Sequence, residues 1–306
     1  MNKLIKILFN LIFIVLFIFL LTKLDLRVLA RLKEINLFIL LGVIILLFLS
    51  VLLKSIRFKL LNPSTPLLQM LRITVIHNFY LTLLPFRLGE LAYMKKLKEL
   101  NIKFTKSFSD LVICRSLDLI VLGILFDIFI YYYYFKGVYS ETMVIVITLI
   151  ILALSLVYLF PKIITKPFKR TKLHNSRLIY LKKKIIEILE NFNRISYPKR
   201  ISLFVFSFLV ILASFLPYSL IIISLAKIPF IETIIANTFA LLSSILPISP
   251  PGGVGLIEGG WVVGFSLFHL DTNLAITLGL ILHSVQIVSI IVIYFTFRIL
   301  FRKHKH

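Results

Sequence analysis

Leu246-Pro-Ile-Ser-Pro-Pro-Gly-Gly-Val-Gly-Leu-Ile-Glu258 is the stretch on which the reading of this chain turns. Apolar segments flank it, about 232–246 before and about 254–270 after, and each is shorter than the roughly 20 residues that a helix needs to cross a bilayer. Pro247, Pro250 and Pro251 stop one helix, and Gly252, Gly253 and Gly255 free the backbone before another begins. Broken backbone at membrane depth survives only where protein or a water-filled cavity satisfies its polar groups. The sequence therefore predicts a re-entrant hairpin whose tip lines a site.

The rest of the chain supplies the membrane context. Of 306 residues, 59% are hydrophobic, and the mean hydropathy is +1.02, far above that of a soluble domain. The formal net charge of +22 invites a nucleic-acid reading. Its lysines and arginines, however, lie mostly between and beside apolar runs, where they act as topology signals and contacts for anionic lipid head groups. No nucleic-acid partner is expected. Cys114 is the only cysteine, which excludes an intrachain disulfide and a cysteine metal cluster.

Six spans are predicted: 4–21, 35–53, about 108–135, about 143–160, 201–225 and about 274–300. The first lacks a small-residue cleavage site before Lys23 and is read as a span, not a leader. Lys54, Arg57 and Lys59 follow the second span, and Asn62-Pro63-Ser64-Thr65-Pro66 breaks the chain. A second interrupted segment, 73–93, contains Leu83-Leu84-Pro85-Phe86-Arg87-Leu88-Gly89-Glu90. Between the fourth and fifth spans the basic segment 161–200 carries an apolar stripe, Leu178, Leu181, Ile185, Ile188, Leu189 and Phe192, opposite Lys182, Lys183 and Lys184. This pattern predicts an amphipathic helix on an anionic surface.

Assigning the basic segments 54–72, 94–106, 161–200 and the C-terminal tail to the cytoplasm makes 73–93 a hairpin entered from inside and 232–270 one entered from outside. Both termini are then cytoplasmic. Span, span, hairpin, span is followed by the same order with every direction reversed, with repeats at about 4–135 and 143–300. Such inverted-topology repeats are typical of alternating-access transporters. The expected fold is thus one all-α polytopic membrane domain, residues 1–306, with about six transmembrane helices and two opposed re-entrant hairpins.

Arg87 and Glu90 stand three apart after Pro85 and share one helix face, fit to grip a phosphate or only to anchor the hairpin as an ion pair. Arg115 and Asp118 repeat that spacing in the third span, where a self-neutralising intrahelical pair is the simplest arrangement. Asp127 lies nearer the span's outer end. In the second hairpin Gly252 and Gly253 allow close approach to a ligand, a helix starting near Gly253 would point amide groups at it, and Glu258 is the sole acid between Glu232 and Asp271. His283 and Gln286 would extend a polar path through the last span; His77 and His269 are weaker candidates. Arg87, Glu90, Arg115, Asp118, Gly252, Gly253 and Glu258 form the expected substrate site, and Glu90, Glu258, Asp127 and His283 the proton-coupling candidates. Neither a catalytic triad nor a metal-ligand cluster stands out, so no enzyme activity, cofactor or metal is expected.

The segments Leu84–Glu90, Arg115-Ser116-Leu117-Asp118 and Pro250–Gly255 with Glu258, in this order and spacing, resemble the lysylphosphatidylglycerol synthase transmembrane, or flippase-like, family over nearly the whole chain. The resemblance implies translocation of lipids across the cytoplasmic membrane of a prokaryote. Two-domain members carry a soluble aminoacyltransferase as well; with the sequence ending at His306, that activity is expected to be absent. The expected function is a flippase for a phosphate-bearing lipid such as a polyprenyl phosphate, a glycolipid or a phospholipid. A carrier of small soluble anions and a membrane subunit for a glycosyltransferase or lipid-synthesis partner remain open.

Overall fold

The computed structural model describes residues 35–134, 141–159, 161–171, 176–245 and 250–300, with Ala30 and Lys33. The predicted span 4–21 and residues 246–249 of the predicted hairpin lie outside them. Every regular element among the described residues is helical: α1 (Leu37–Leu61), α2 (Leu67–Leu83), a 3₁₀ turn (Pro85–Arg87), α3 (Gly89–Lys98), α4 (Phe104–Tyr134), α5 (Glu141–Leu159), α6 (Lys162–Arg170), α7 (Ser176–Asn193), α8 (Tyr197–Ala226), α9 (Phe230–Ile245), a second 3₁₀ turn (Pro251–Gly253), α10 (Leu256–Ser266) and α11 (Thr272–Leu300).

Among the described residues three helices, α1, α8 and α11, are long and apolar enough to cross a membrane. Only 17% of the most apolar window of α1 is buried, so Leu37, Phe38, Ile44 and Ile45 offer their side chains outward. In water that would be an unfavourable apolar surface; against lipid tails it is the expected one. The chain is a membrane protein.

Two compact units divide the chain: residues 1–52, 74–92 and 212–306 form the first, and 53–73 and 93–211 the second. In the first, α9 and α10 run back on each other as a helical hairpin, and α10 also packs on α11. Small residues set the approach of α9 and α10. A Cβ on Gly264 would lie 2.5 Å from the Ala236 Cα, and one on Gly260 would lie 2.7 Å from the Ala240 Cα. Without a hydrophobic drive between helices in lipid, such close backbone packing is what holds them together. Trp261, buried, donates Nε1–H to Asn237 Oδ1 at 2.9 Å, and Asn237 in turn donates to Ser219 Oγ at 3.1 Å, so the polar atoms inside this packing are paired.

In the second unit a core of Phe58, Met70, Tyr93, Leu97, Ile113 and Leu117 draws on four helices, with Leu203 and Tyr158 added from α8 and α5. The predicted span ends at Leu53, and helix α1 continues past it to Leu61, so Lys54, Arg57 and Lys59 of the basic segment are helical. Arg57 can stay inside because Asp118 of α4 meets it in a buried ion pair, with Ser207 Oγ accepting a further bond at 2.9 Å. The break then falls at Asn62-Pro63, where Asn62 bonds the Phe58 carbonyl and Asp110.

Helix α7 matches the predicted amphipathic element, but its apolar stripe is divided. The C-terminal part docks: Phe192 packs on the core, and the Ile188 carbonyl accepts from Ser109 of α4 at 3.3 Å. The N-terminal part leaves Leu178, Leu181 and Ile185 exposed beside the lysines, which is the portion suited to a membrane surface.

Candidate functional site

The proline-led turns Pro85–Arg87 and Pro251–Gly253, both in the first unit, touch each other. Each turn follows from its residues. A proline restricts the residue before it to extended backbone, as seen at Leu84 (φ −89°, ψ 139°) and Pro250 (φ −69°, ψ 170°). Two left-handed residues follow each proline: Phe86 and Arg87 at φ +53° and +55°, and Gly252 and Gly253 at φ +69° and +73°. Glycine adopts this conformation freely, whereas an L side chain costs about 1–2 kcal/mol there.

In the first turn the strained backbone sets Arg87. Its Nε–H donates to Glu90 Oε1 at 2.8 Å, and its Nη1–H donates to the Ser244 carbonyl at 2.6 Å. Ser244 lies in the last turn of α9, where carbonyls lack partners within the helix and the dipole end is negative. Arg87 is therefore a cap on the second hairpin as well as the partner of Glu90. Gly89 matters for a different reason: a Cβ there would stand 2.1 Å from the Leu81 backbone nitrogen, so only glycine lets the chain turn back on α2.

In the second turn Glu258 does two things. Its Oε2 accepts the Gly255 N–H at 2.9 Å, the reach-back half of a capping box at the start of α10. Its Oε1 is 2.7 Å from His283 Nδ1 on α11, and both side chains are buried. With the carboxylate ionised, Nδ1–H donates, which fixes the ring and leaves Nε2 as the free nitrogen. Nε2 is buried and has no hydrogen-bond partner among the described residues. Gly279, one turn before His283, brings α10 close: a Cβ there would be 3.4 Å from the Glu258 Cα. A Cβ on Gly253 would approach His283 Cε1 to 3.9 Å and collide with Ile257 Cδ1 at 2.5 Å, so the glycine run lies directly over the dyad.

The expected site residues thus separate. Arg87, Glu90, Gly252, Gly253, Glu258 and His283 belong to the first unit, while Arg115, Asp118 and Asp127 belong to the second. Asp118 is engaged by Arg57 of α1, a partner that the sequence reading did not name, instead of being served within its own helix alone. Arg115 is half-buried on α4. Asp127 accepts from the Thr148 hydroxyl of α5 at 2.9 Å and 3.0 Å, an inter-helix tie and not a contact to any candidate cation.

A family model described as the lysylphosphatidylglycerol synthase TM region matches residues 5–293. The chain belongs to that family. Membership makes it a membrane domain related to lipid handling or flipping, and it joins the proline-led turns on one side to α11 on the other within a single matched region. No curated protein matches the chain, and no solved structure does.

Proposed function

We propose that this chain is a lipid translocase that moves a phosphate-bearing lipid across the cytoplasmic membrane of a prokaryote, without enzymatic activity of its own. The observation that carries the reading is the meeting of the two proline-led turns, with a guanidinium on one and a buried Glu258–His283 dyad under the other. Helices α9 and α10 are 16 and 11 residues long, too short to cross and consistent with a re-entrant hairpin; the interrupted α2 and α3, at 17 and 10 residues, suit a second. Adding 4–21, α4 and α5 to the three clear spans gives six, arranged as an inverted repeat with cytoplasmic termini.

In this mechanism the guanidinium of Arg87 takes the phosphate, the amides of Gly253 and Gly255 being already given to the Pro250 carbonyl and to Glu258, while the acyl or prenyl tails remain in the bilayer. Bound phosphate would compete with Glu90 and the Ser244 carbonyl for Arg87, loosening the cap on α9 and so the contact between the turns. The dyad provides the proton step. Protonation at His283 Nε2 adds a positive charge under the glycines and favours the phosphate; its loss favours release, which couples translocation to a proton gradient. Membrane lipids with anionic head groups are the partners this requires.

The test is reconstitution in liposomes with fluorescent lipids in the inner leaflet and an impermeant quencher outside, comparing phosphatidylglycerol with phosphatidylcholine at pH 6 and pH 8. Wild-type protein should accelerate loss of protected signal for the anionic lipid, Arg87→Ala should remove the acceleration, and Glu258→Gln should flatten its pH dependence. Folded protein that accelerates neither lipid would sink the translocase reading; Glu258→Gln with an unchanged pH profile would sink the proton coupling alone.

A further inference from the structure

The second unit, which contains neither proline-led turn, holds a cleft of about 600 Å³ lined by Lys103, Lys106, Glu187, Glu190, Arg194 and Lys199 among others. Its size falls within the range of small-molecule sites. The decisive feature is which of these charges are already committed. Lys106 pairs with the buried Asp110 and also bonds the Leu61 carbonyl at 3.3 Å. Glu187 accepts from the Thr105 hydroxyl at 2.6 Å and lies 3.6 Å from Lys184; that hydroxyl bond holds its carboxyl below the usual value. Glu190 is paired with Lys169 at 2.7 Å. Glu190 is thus paired outside the cleft, and Glu187 is held by Thr105 of the cleft wall and by Lys184. Among the described residues no carboxylate stands within salt-bridge distance of Lys103, Arg194 or Lys199, although Glu187 and Glu190 feel Lys103 and Arg194 at longer range.

Lys103, Lys106, Arg194 and Lys199 outnumber Glu187 and Glu190 around one concavity, and this excess of positive charge favours an anion among them. A solvated basic face would satisfy them with water and salt, but such a face needs no concavity and no acid paired away from it. Lysine ammoniums that turn freely and a guanidinium fork suit the tetrahedral, multiply charged oxygens of a phosphate. We infer that this cleft is a second anion site that binds a phosphate monoester or diphosphate, either as a free solute or as the head group of a lipid. The inference does not rest on the transport reading, because it concerns binding and requires no translocation.

Full-length protein in phosphatidylcholine nanodiscs would be titrated with inorganic pyrophosphate by calorimetry, and phosphatidic acid retained by the protein would be counted by native mass spectrometry. Each cation removed should weaken binding about tenfold, the size of one charge-assisted hydrogen bond. Arg194→Gln with Lys199→Gln should thus weaken pyrophosphate about 100-fold, and the exposed single variant Lys103→Gln, which leaves the core untouched, about tenfold. Lys95→Gln with Lys98→Gln, an equal loss of charge outside the cleft, should leave it within about twofold. Pyrophosphate binding that phosphatidic acid displaces assigns the cleft to a lipid head group; binding that it does not displace assigns it to a soluble phosphate. Retention of phosphatidic acid lost in the cleft variants, even without pyrophosphate binding, also supports the head-group site. The inference is overturned if cleft and control variants weaken binding equally, or if neither probe responds to the cleft variants.

Discussion

The turns Pro85–Arg87 and Pro251–Gly253 open on the same backbone and part after it, Leu88 helical (φ −57°, ψ −19°) and Val254 extended (φ −57°, ψ 132°), and their chemistry is opposite. Both set a proline, then two left-handed residues, then a glycine four positions after the proline, Gly89 in one and Gly255 in the other. The second turn uses glycine at each left-handed position and so carries no side-chain strain there, while clearing the space above Glu258 and His283. The first places Phe86 and Arg87 at the same angles and bears about 1–2 kcal/mol for each. The strain is retained because the left-handed position at Arg87 aims its guanidinium at the C-terminal carbonyl of Ser244 and at Glu90 together. One turn is shaped by what it leaves empty, the other by what it holds out.

The comparison is most severely tested at the two glycines that end the turns. Gly89 has ordinary backbone angles but no room, since a Cβ would meet the Leu81 backbone at 2.1–2.3 Å; Gly255 is left-handed at φ +81°. Gly89→Ala should therefore destabilise the protein by about 3 kcal/mol or more, or prevent its accumulation, because backbone must move. Gly255→Ala should cost about 1–2 kcal/mol through the conformational term of its left-handed backbone. Thermal melts in detergent would separate them, and equal losses would mean that the turns end for the same reason.

Arg87 comes next. Arg87→Ala removes two charge-assisted hydrogen bonds, one of them to a helix C-terminus in a mostly buried setting, and should cost about 2 kcal/mol. Arg87→Lys keeps the charge but loses the fork that reaches Glu90 and Ser244 at once, and should recover less than half of that. Full recovery by lysine, measured in the same melts, would reduce the first turn to a point charge and remove the reason given for its strain. The counterpart in the second turn, Glu258→Gln, keeps an oxygen for the Gly255 amide and should cost under about 1 kcal/mol.

How much of this could be read from the residues depends on the range of the interaction involved. The two breaks were legible because proline and glycine act locally: Pro85, Pro251, Gly252 and Gly253 dictate turns wherever they stand. So was the amphipathic α7. The partners were not. Asp118 was matched to Arg115 by spacing, whereas its Arg57 comes from the end of α1, beyond the predicted span, where three basic residues were read as a topology signal. That Arg87 would cap Ser244, and His283 would meet Glu258, are matters of helix packing that one sequence does not specify. One signal was missed that local reading could have found: Gly260 and Gly264 on α10, and Ala236 and Ala240 on α9, are small residues at a spacing of four, the pattern of close helix contact in lipid.

The smallest expected effect bears most directly on the contrast between the turns. Phe86 is half-buried at φ +53°, ψ +29°. Phe86→Gly releases about 1–2 kcal/mol of strain. It also loses the apolar contact of a partly buried ring, about 1 kcal/mol, and adds unfolded-chain entropy of about 0.5–1 kcal/mol. These terms nearly cancel, so the melting temperature should change little, in contrast to the loss of several kcal/mol usual when a core phenylalanine is removed. The matching change Gly252→Ala meets no backbone, its nearest neighbour being a Val254 methyl at 3.4 Å, and should cost only the left-handed term. If Phe86→Gly is instead strongly destabilising while Gly252→Ala is mild, the ring of Phe86 and not the reach of Arg87 is what the strained backbone serves, and the division between a turn that holds and a turn that clears would have to be redrawn around Phe86.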